Sequence, residues 1–211
     1  MSSRGSEAAK NLRRRSSTGT PPSLQRSTNN HAVAEVPMKK AKLIRLKIIT
    51  MGNSATGKSC IVKRYCEERF ISKYISTIGI DYGVKPTKHN GKDVRVNFWD
   101  MSGNPEFFEV RNEFYKDASG GILVYDVSNR ESFTDLDNWV DESRKFGIGD
   151  VPIFVCANKI DKKRVVQEAE GVNWAAANGY QHWETSANSG ANVLDVFETL
   201  ISTTLSRPPH G

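Results

Sequence analysis

In this 211-residue chain the run Gly52-Asn53-Ser54-Ala55-Thr56-Gly57-Lys58-Ser59 has the residue types and spacing that bear most directly on chemistry. It fits G-x-x-x-x-G-K-[S/T], the pattern of a phosphate-binding loop. Glycine lets a backbone wrap round a polyphosphate, so that successive N–H groups point at anionic oxygens. The candidate cradle runs from Asn53 through Ser54, Ala55, Thr56, Gly57, Lys58 and Ser59 to Cys60. A helix starting there would add its positive end. Lys58 would sit between the terminal phosphates, and the Ser59 hydroxyl would ligate Mg²⁺.

About one hundred residues later stands Asn158-Lys159-Ile160-Asp161. An Asp carboxylate there can accept two hydrogen bonds from guanine N1 and N2. Adenine lacks that donor pair, so the carboxylate would stay buried and unpaired, at about 1–3 kcal/mol or more. Asn158 can donate to N7 and brace the loop, and the Lys159 stem can cover one face of the ring. Further on, Thr185-Ser186-Ala187-Asn188 offers the Ala187 N–H to O6. Four letters of the N-K-x-D type are a weak pattern alone. Behind a phosphate loop, at a strand end, and followed by Ser-Ala after the next strand, they become specific.

These residues need strands and helices to hold them. LIRLKIIT before the phosphate loop reads as a buried strand. CIVKRYCEERF after it reads as a helix with Cys60, Ile61, Tyr65 and Val62 as inward candidates. Phe70–Ile78 reads as a loop. Gly79–Lys88 and Asp93–Asp100 read as strands joined by an Asn-Gly hairpin turn. Helices are expected at Glu106–Asp117, Glu131–Phe146, Val166–Asn178 and Ala191–Leu205. Strands are expected at Gly121–Asp126, Val151–Ala157 and Gln181–Thr185. Alternation of this kind predicts an α/β three-layer sandwich: six strands, mostly parallel, one antiparallel edge strand and five main helices. The motifs all fall at the carboxyl ends of strands, where such sheets bind ligands.

With GNSATGKS, ISTIGIDY, WDMSGNPE, NKID and TSA standing in order, residues 43–205 resemble the small GTPases, and the Rab branch most closely. The resemblance implies GTP/GDP and Mg²⁺ as ligands, and a switch that meets effector, exchange and activating proteins through two loops. It implies that Thr77 closes over the γ-phosphate and Mg²⁺, that Asp100 holds Mg²⁺ through water, and that the Gly103 N–H touches the γ-phosphate. It would also set Phe70 edge-on against guanine; as a residue at a helix end, Phe70 reads equally as core. The second switch, Asp100 to Asp117, and the stretches KSCIVKRYCEERF and IGIDYGV look like the atypical Rab-like GTPases linked to a J domain, the RJL group. The chain has no His-Pro-Asp, so co-chaperone work is not implied.

Two departures matter. Typical relatives have Asp-Thr-Ala-Gly-Gln-Glu where this chain has Asp100-Met101-Ser102-Gly103-Asn104-Pro105. The glutamine orients the attacking water. Asn104 holds its amide one methylene short, and Pro105 pushes Asn104 toward extended angles. Slow hydrolysis with intact nucleotide binding is expected, Asn104, Lys58 and Thr77 being the candidate catalytic residues. The C-terminal Ser206-Arg207-Pro208-Pro209-His210-Gly211 also offers no cysteine for a prenyl anchor.

Charge separates the chain into parts. Residues 1–47 carry 11 Lys/Arg against 2 Asp/Glu, leaving 19 against 22 on the rest, so the net +6 is a property of the N-terminal stretch. Residues 1–41 read as a disordered basic tail, 42–206 as the GTPase domain and 207–211 as a short C-terminal tail. Arg13-Arg14-Arg15-Ser16-Ser17 suits phosphorylation, an anionic membrane surface or a weak nuclear signal, and equally a solvated linker. No run approaches a membrane span and no signal peptide is visible. Cys60, Cys66 and Cys156 read as core thiols in a reducing compartment. A cytoplasmic monomer is expected, with nuclear or peripheral-membrane residence open and nucleic acid not among its partners. Three functions compete: a slow switch, a near-permanently GTP-bound binding module, and a P-loop kinase or ATPase, which Asn158–Asp161 disfavours.

Overall fold

A computed structural model describes residues 43–207, except Tyr74. The expected tail at 1–41, and all but Arg207 of the one expected at 207–211, lie outside the described residues. Strands β1 (Ile44–Met51), β2 (Ile80–His89), β3 (Lys92–Met101), β4 (Gly120–Asp126), β5 (Ile153–Asn158) and β6 (Gln181–Glu184) form one sheet in the order β2-β3-β1-β4-β5-β6. Every neighbouring pair is parallel except β2 with β3. That pair closes through Asn90 and Gly91, both at positive φ (48° and 74°), as a two-residue hairpin turn requires. The expected α/β sandwich with one antiparallel edge strand is the observed fold.

Helices α1 (Lys58–Glu67) and α6 (Val193–Ser206) cover one face, where Ile48, Phe98, Val124 and Cys156 meet Ile61, Tyr65, Phe197 and Leu200. The other face packs Ile49, Leu123, Tyr125 and Val155 against α4 (Leu136–Lys145), through Leu136, Trp139 and Val140, and α5 (Glu168–Ala177), through Ala175. β4 and β5 are buried at every position, which explains their unbroken apolar runs. Register then sets the functional ends. Thr50 lies opposite Asp100, Asp126 opposite Asn158, and Ala157 opposite Glu184.

Two helices differ from expectation. In place of Glu106–Asp117 there is a 3-10 turn, Pro105–Phe107, then the short α2 (Phe108–Asn112). Pro105 starts the turn and Asn104 caps it, and Asp117 at φ 58° ends any continuation. In place of Glu131–Phe146 there are α3 (Arg130–Thr134) and α4, parted at Asp135. The Asp135 carboxylate is drawn toward Asn53 of the phosphate loop, 2.6 Å away. Of the cysteines only Cys156 is buried; Cys60 and Cys66 are half-buried on α1, and all three thiols are free.

Candidate functional site

The phosphate loop is built by sterics. Gly52 (φ 127°) lies so close to β4 that a Cβ would come 2.1 Å from the Val124 carbonyl oxygen, and Gly57 (φ 98°) abuts the Asn158 amide at 2.4 Å. Ala55 also takes a left-handed φ of 62°. The main-chain N–H groups of Ser54 to Cys60 donate to no acceptor among the described residues. A curved run of free donors at the start of α1 is a cradle for an anion. Lys58 is buried and donates to the carbonyls of Gly52 (2.7 Å) and Asn53 (2.9 Å). Burial pulls its ammonium down to about 8, against the opposing pull of Asp100. An anion entering the cradle would meet a desolvated cation already aimed along the loop.

Ser59, Thr77 and Asp100 are brought together as expected. The Ser59 and Thr77 hydroxyls are 3.0 Å apart, and Thr77 donates to Asp100 Oδ2 at 3.5 Å. Thr50 fixes the other carboxylate oxygen at 2.8 Å. Burial raises the Asp100 carboxyl, with Lys58 opposing. Two hydroxyls and a carboxylate are hard oxygen donors of the kind Mg²⁺ takes, usually with waters and phosphate oxygens completing the set. The donors present therefore fit that ion.

Gly103 lies against the cradle: a Cβ there would stand 2.3 Å from the Ser54 nitrogen. Asn104 is extended (φ −76°, ψ 128°), as the following proline favours. Its Oδ1 accepts from the Glu106 N–H at 3.1 Å and its Nδ2 donates to Glu106 Oε2 at 3.4 Å. The amide thus faces its own turn.

The base-side residues converge too, with different bonds from those expected. Asn158 donates to the Thr56 carbonyl (2.8 Å), and its Oδ1 accepts from the Ala187 N–H (3.2 Å). The donor assigned to O6 is therefore engaged within the protein. Asp161 is exposed, not buried, and accepts from Ser186 Oγ (2.5 Å) and Asn188 Nδ2 (3.1 Å). The Ser186 bond holds its carboxyl below the usual carboxylate range. The expected penalty of a buried unpaired carboxylate is thereby corrected: this one has partners without a base. The Lys159 ammonium spans from the Ala55 carbonyl to Asp126, 2.6 Å from each, so its stem crosses the site. Phe70 is 37% exposed beyond the end of α1 and is not a core residue.

The sequence matches the Ras family over residues 47–206. The chain belongs to the Ras family. Among curated proteins it is 50% identical over 173 residues to DnaJ homolog subfamily C member 27 of Mus musculus, covering 78% of this chain and 63% of that one. The Danio rerio protein of that name is 49% identical over 177 residues (81% and 65%), and the Homo sapiens protein 48% over 175 (79% and 64%). The chain thus spans under two thirds of the length of these relatives. Their DnaJ name agrees with the resemblance to J-domain-linked Rab-like GTPases, and this Ras-family chain is a Rab-like small GTPase.

Three groups around this Ras-family site escaped the sequence reading. Asp126 pairs with Lys159. Arg64 of α1 donates to the carbonyls of Ala187 (2.9 Å) and Asn188 (2.5 Å), and its guanidinium stands 6.0 Å from the Phe70 ring. Asn53 of the phosphate loop is held by Trp139 (2.7 Å) and Asp135. Apart from the approach of Arg64 to Phe70, each is an interaction across more than thirty residues, for which no local spacing gives a signal.

Proposed function

We propose that this GTPase binds GTP and GDP with Mg²⁺ and works as a slow-turnover switch. The observation that carries the slow turnover is the amide of Asn104, occupied in capping its own turn while the groups that hold nucleotide are complete. In this reading the free N–H groups from Asn53 to Cys60 hold the phosphates, and Lys58 neutralises them. Ser59 and Thr77 would hold Mg²⁺ directly, with Asp100 behind a water. The ion, when bound, would offset phosphate charge at the site. Gly103, pressed on the loop, would offer its N–H to a γ-phosphate. Asp161 selects guanine, Ser186 and Asn188 hold Asp161 in place, and Asn158 ties that loop to the phosphate loop. Ala187 reaches O6 by sharing its N–H with Asn158. Phe70, free at the surface beside Arg64, can cover the base edge.

Effectors and regulators would read the two loops. Basic residues 1–41 would supply a contact with anionic membranes through their Lys and Arg side chains. Pelleting with anionic vesicles should fall with salt and with deletion of that stretch, nucleotide binding being retained. The nucleotide carried by the purified chain, with its single-turnover hydrolysis rate, tests the main reading. A chain loaded with GTP that turns over at an ordinary Rab rate would refute slow turnover. Loss of all measurable hydrolysis would favour the second reading, a binding module held in the GTP form, which Asn104-Pro105 also supports. Competition by ATP at the potency of GTP would refute guanine selection.

A further inference from the structure

Thr50 is a polar side chain at an apolar position. It stands near the carboxyl end of the inner strand β1, beside Asp100 of β3 on one side and Ile122 of β4 on the other. Alternate residues of β1, Leu46 and Ile48, lie in the core under α1 and α6, and Thr50 continues that row. It is fully buried. A buried hydroxyl destabilises a fold unless it is bonded, and a valine would fill the same space without that cost. The Thr50 hydroxyl is bonded on both sides. It accepts from the Met101 main-chain N–H at 3.2 Å and donates to Asp100 Oδ1 at 2.8 Å.

A hydroxyl has one proton to give, and here Asp100 receives it. The Met101 N–H on the same oxygen polarises the hydroxyl further toward the carboxylate. Asp100 is itself only 3% exposed, and its two oxygens are divided. Oδ1 is tied inward to Thr50. Oδ2 lies 3.5 Å from the Thr77 hydroxyl, which is 3.0 Å from that of Ser59. A carboxylate rotates freely about its last bond unless something holds it. The bond to Thr50 holds it, and keeps Oδ2 among the hydroxyls that fit Mg²⁺. The Thr50 side chain bonds neither the phosphate loop nor the base-side loop among the described residues.

We propose that Thr50 is a positioning residue for the metal: by gripping Asp100 Oδ1 it turns Oδ2 toward Ser59 and Thr77, and so tightens Mg²⁺ and, through Mg²⁺, the retention of nucleotide. It acts through Asp100 alone. Partners that orient a metal ligand in this way are commonly worth 10- to 100-fold in metal affinity. The proposal rests on the nucleotide- and Mg²⁺-binding reading above.

Release of fluorescent GDP from the full chain, measured across a range of Mg²⁺ concentrations and again in excess EDTA, tests it. Thr50→Val keeps the shape of the side chain and removes the hydroxyl. The Mg²⁺ concentration that half-slows release should rise about 10- to 100-fold in this variant, with the rate in EDTA within about twofold of the unmodified chain. Thr50→Ser keeps the hydroxyl and should hold the Mg²⁺ midpoint within about threefold. Thr50→Cys, a weaker donor, should fall between, and it takes the place of Thr50→Val if that fails to fold. An unmoved midpoint in Thr50→Val would overturn the proposal, as would a midpoint in Thr50→Ser as high as in Thr50→Val. Quickening of Thr50→Val by the same factor in EDTA would also overturn it, since packing alone would then be the role of Thr50. In the unmodified chain, failure to bind the fluorescent GDP, or release that ignores Mg²⁺, would overturn the binding reading, and the proposal with it.

Discussion

Asn104 differs from the glutamine of typical relatives by one methylene, and that difference is about 1.5 Å of reach, when misplacement near 1 Å can cost ~100-fold in rate. The structure adds that the short amide already has partners, the N–H and carboxylate of Glu106. Arg111 donates to the carbonyl of the same residue, which restrains the backbone from making up the distance. Asn104→Gln should therefore raise the single-turnover rate by about tenfold or more, with GTP affinity within about twofold. Pro105→Glu added to it restores an N–H and backbone freedom, and the pair should gain further. Rapid-quench measurement on preloaded protein decides this, and no gain in either variant points to Met101 and Ser102 instead. At Asp161 the expectation is loss. Asp161→Asn should weaken GTP about 10- to 100-fold, the range of a charged hydrogen-bond pair, and shift preference toward xanthine nucleotides, whose carbonyl can accept from the new amide. The partners Ser186 and Asn188 do not undo this, because two bonds leave a carboxylate with further acceptor sites. Unchanged GTP affinity would falsify the assignment.

Helix α1 supplies two sides of the site: its first turn completes the phosphate cradle, and Arg64 from its last turn braces the loop after β6. Loss of those two carbonyl bonds, each worth about 0.5–1.5 kcal/mol net, should loosen the base-side loop and free Phe70. Arg64→Met keeps most of the packed stem, so GDP release should quicken by about three- to thirtyfold with little change in unfolding midpoint. Fluorescent-nucleotide release rates measure this, and Arg64→Lys should recover part of the retention. The brace was not legible in KSCIVKRYCEERF, where Arg64 reads as one more exposed cation on a half-apolar helix. What was legible had short-range causes. Apolar runs gave β4 and β5 because both faces of these strands are covered. Asn90-Gly91 gave the hairpin because both positions need positive φ. The phosphate loop was legible because its glycines answer to sterics within the same loop and the adjoining strand. The second-switch helix was misjudged for the opposite reason: its ends are decided by Asn104 as a cap and by Arg111 bound to Glu142, thirty-one residues away. The break before α4 has the same origin, since the carboxylate of Asp135 answers to Asn53.

Across the described residues the site occupies the carboxyl edge of the sheet, while one pH-sensitive group, His182, sits behind β6. His182 packs there against Tyr125, whose hydroxyl is 3.1 Å from Nε2, with Gly171 of α5 so close that a Cβ would overlap both. Burial lowers the His182 pKa below the ordinary 6.5; Glu184 and Glu168 oppose this, and Arg164 reinforces it. The sign follows from where the proton binds. Between the ordinary value and the lower folded one, the unfolded chain binds a proton at this residue that the folded chain refuses, so stability falls with falling pH. The contribution is complete above about pH 6.5 and is lost as the pH drops toward and through the folded pKa. The carboxylates held low by partners, Asp126 by Lys159 and Ser128 against its burial, and Asp161 by Ser186, act elsewhere: theirs is lost only below the ordinary Asp value of 3.8. The two windows are therefore separable. Urea midpoints taken at pH 7.5, 6.5, 5.5 and 5.0 should decline through the histidine window in the unmodified chain. In His182→Gln, which keeps a polar partner for Tyr125 and cannot titrate, the decline should flatten. His89 lies on the β2–β3 hairpin and Asn90 is its hydrogen-bond neighbour, so His89→Gln serves as the control. If that control flattens the profile and His182→Gln does not, the buried histidine is not the group that sets it.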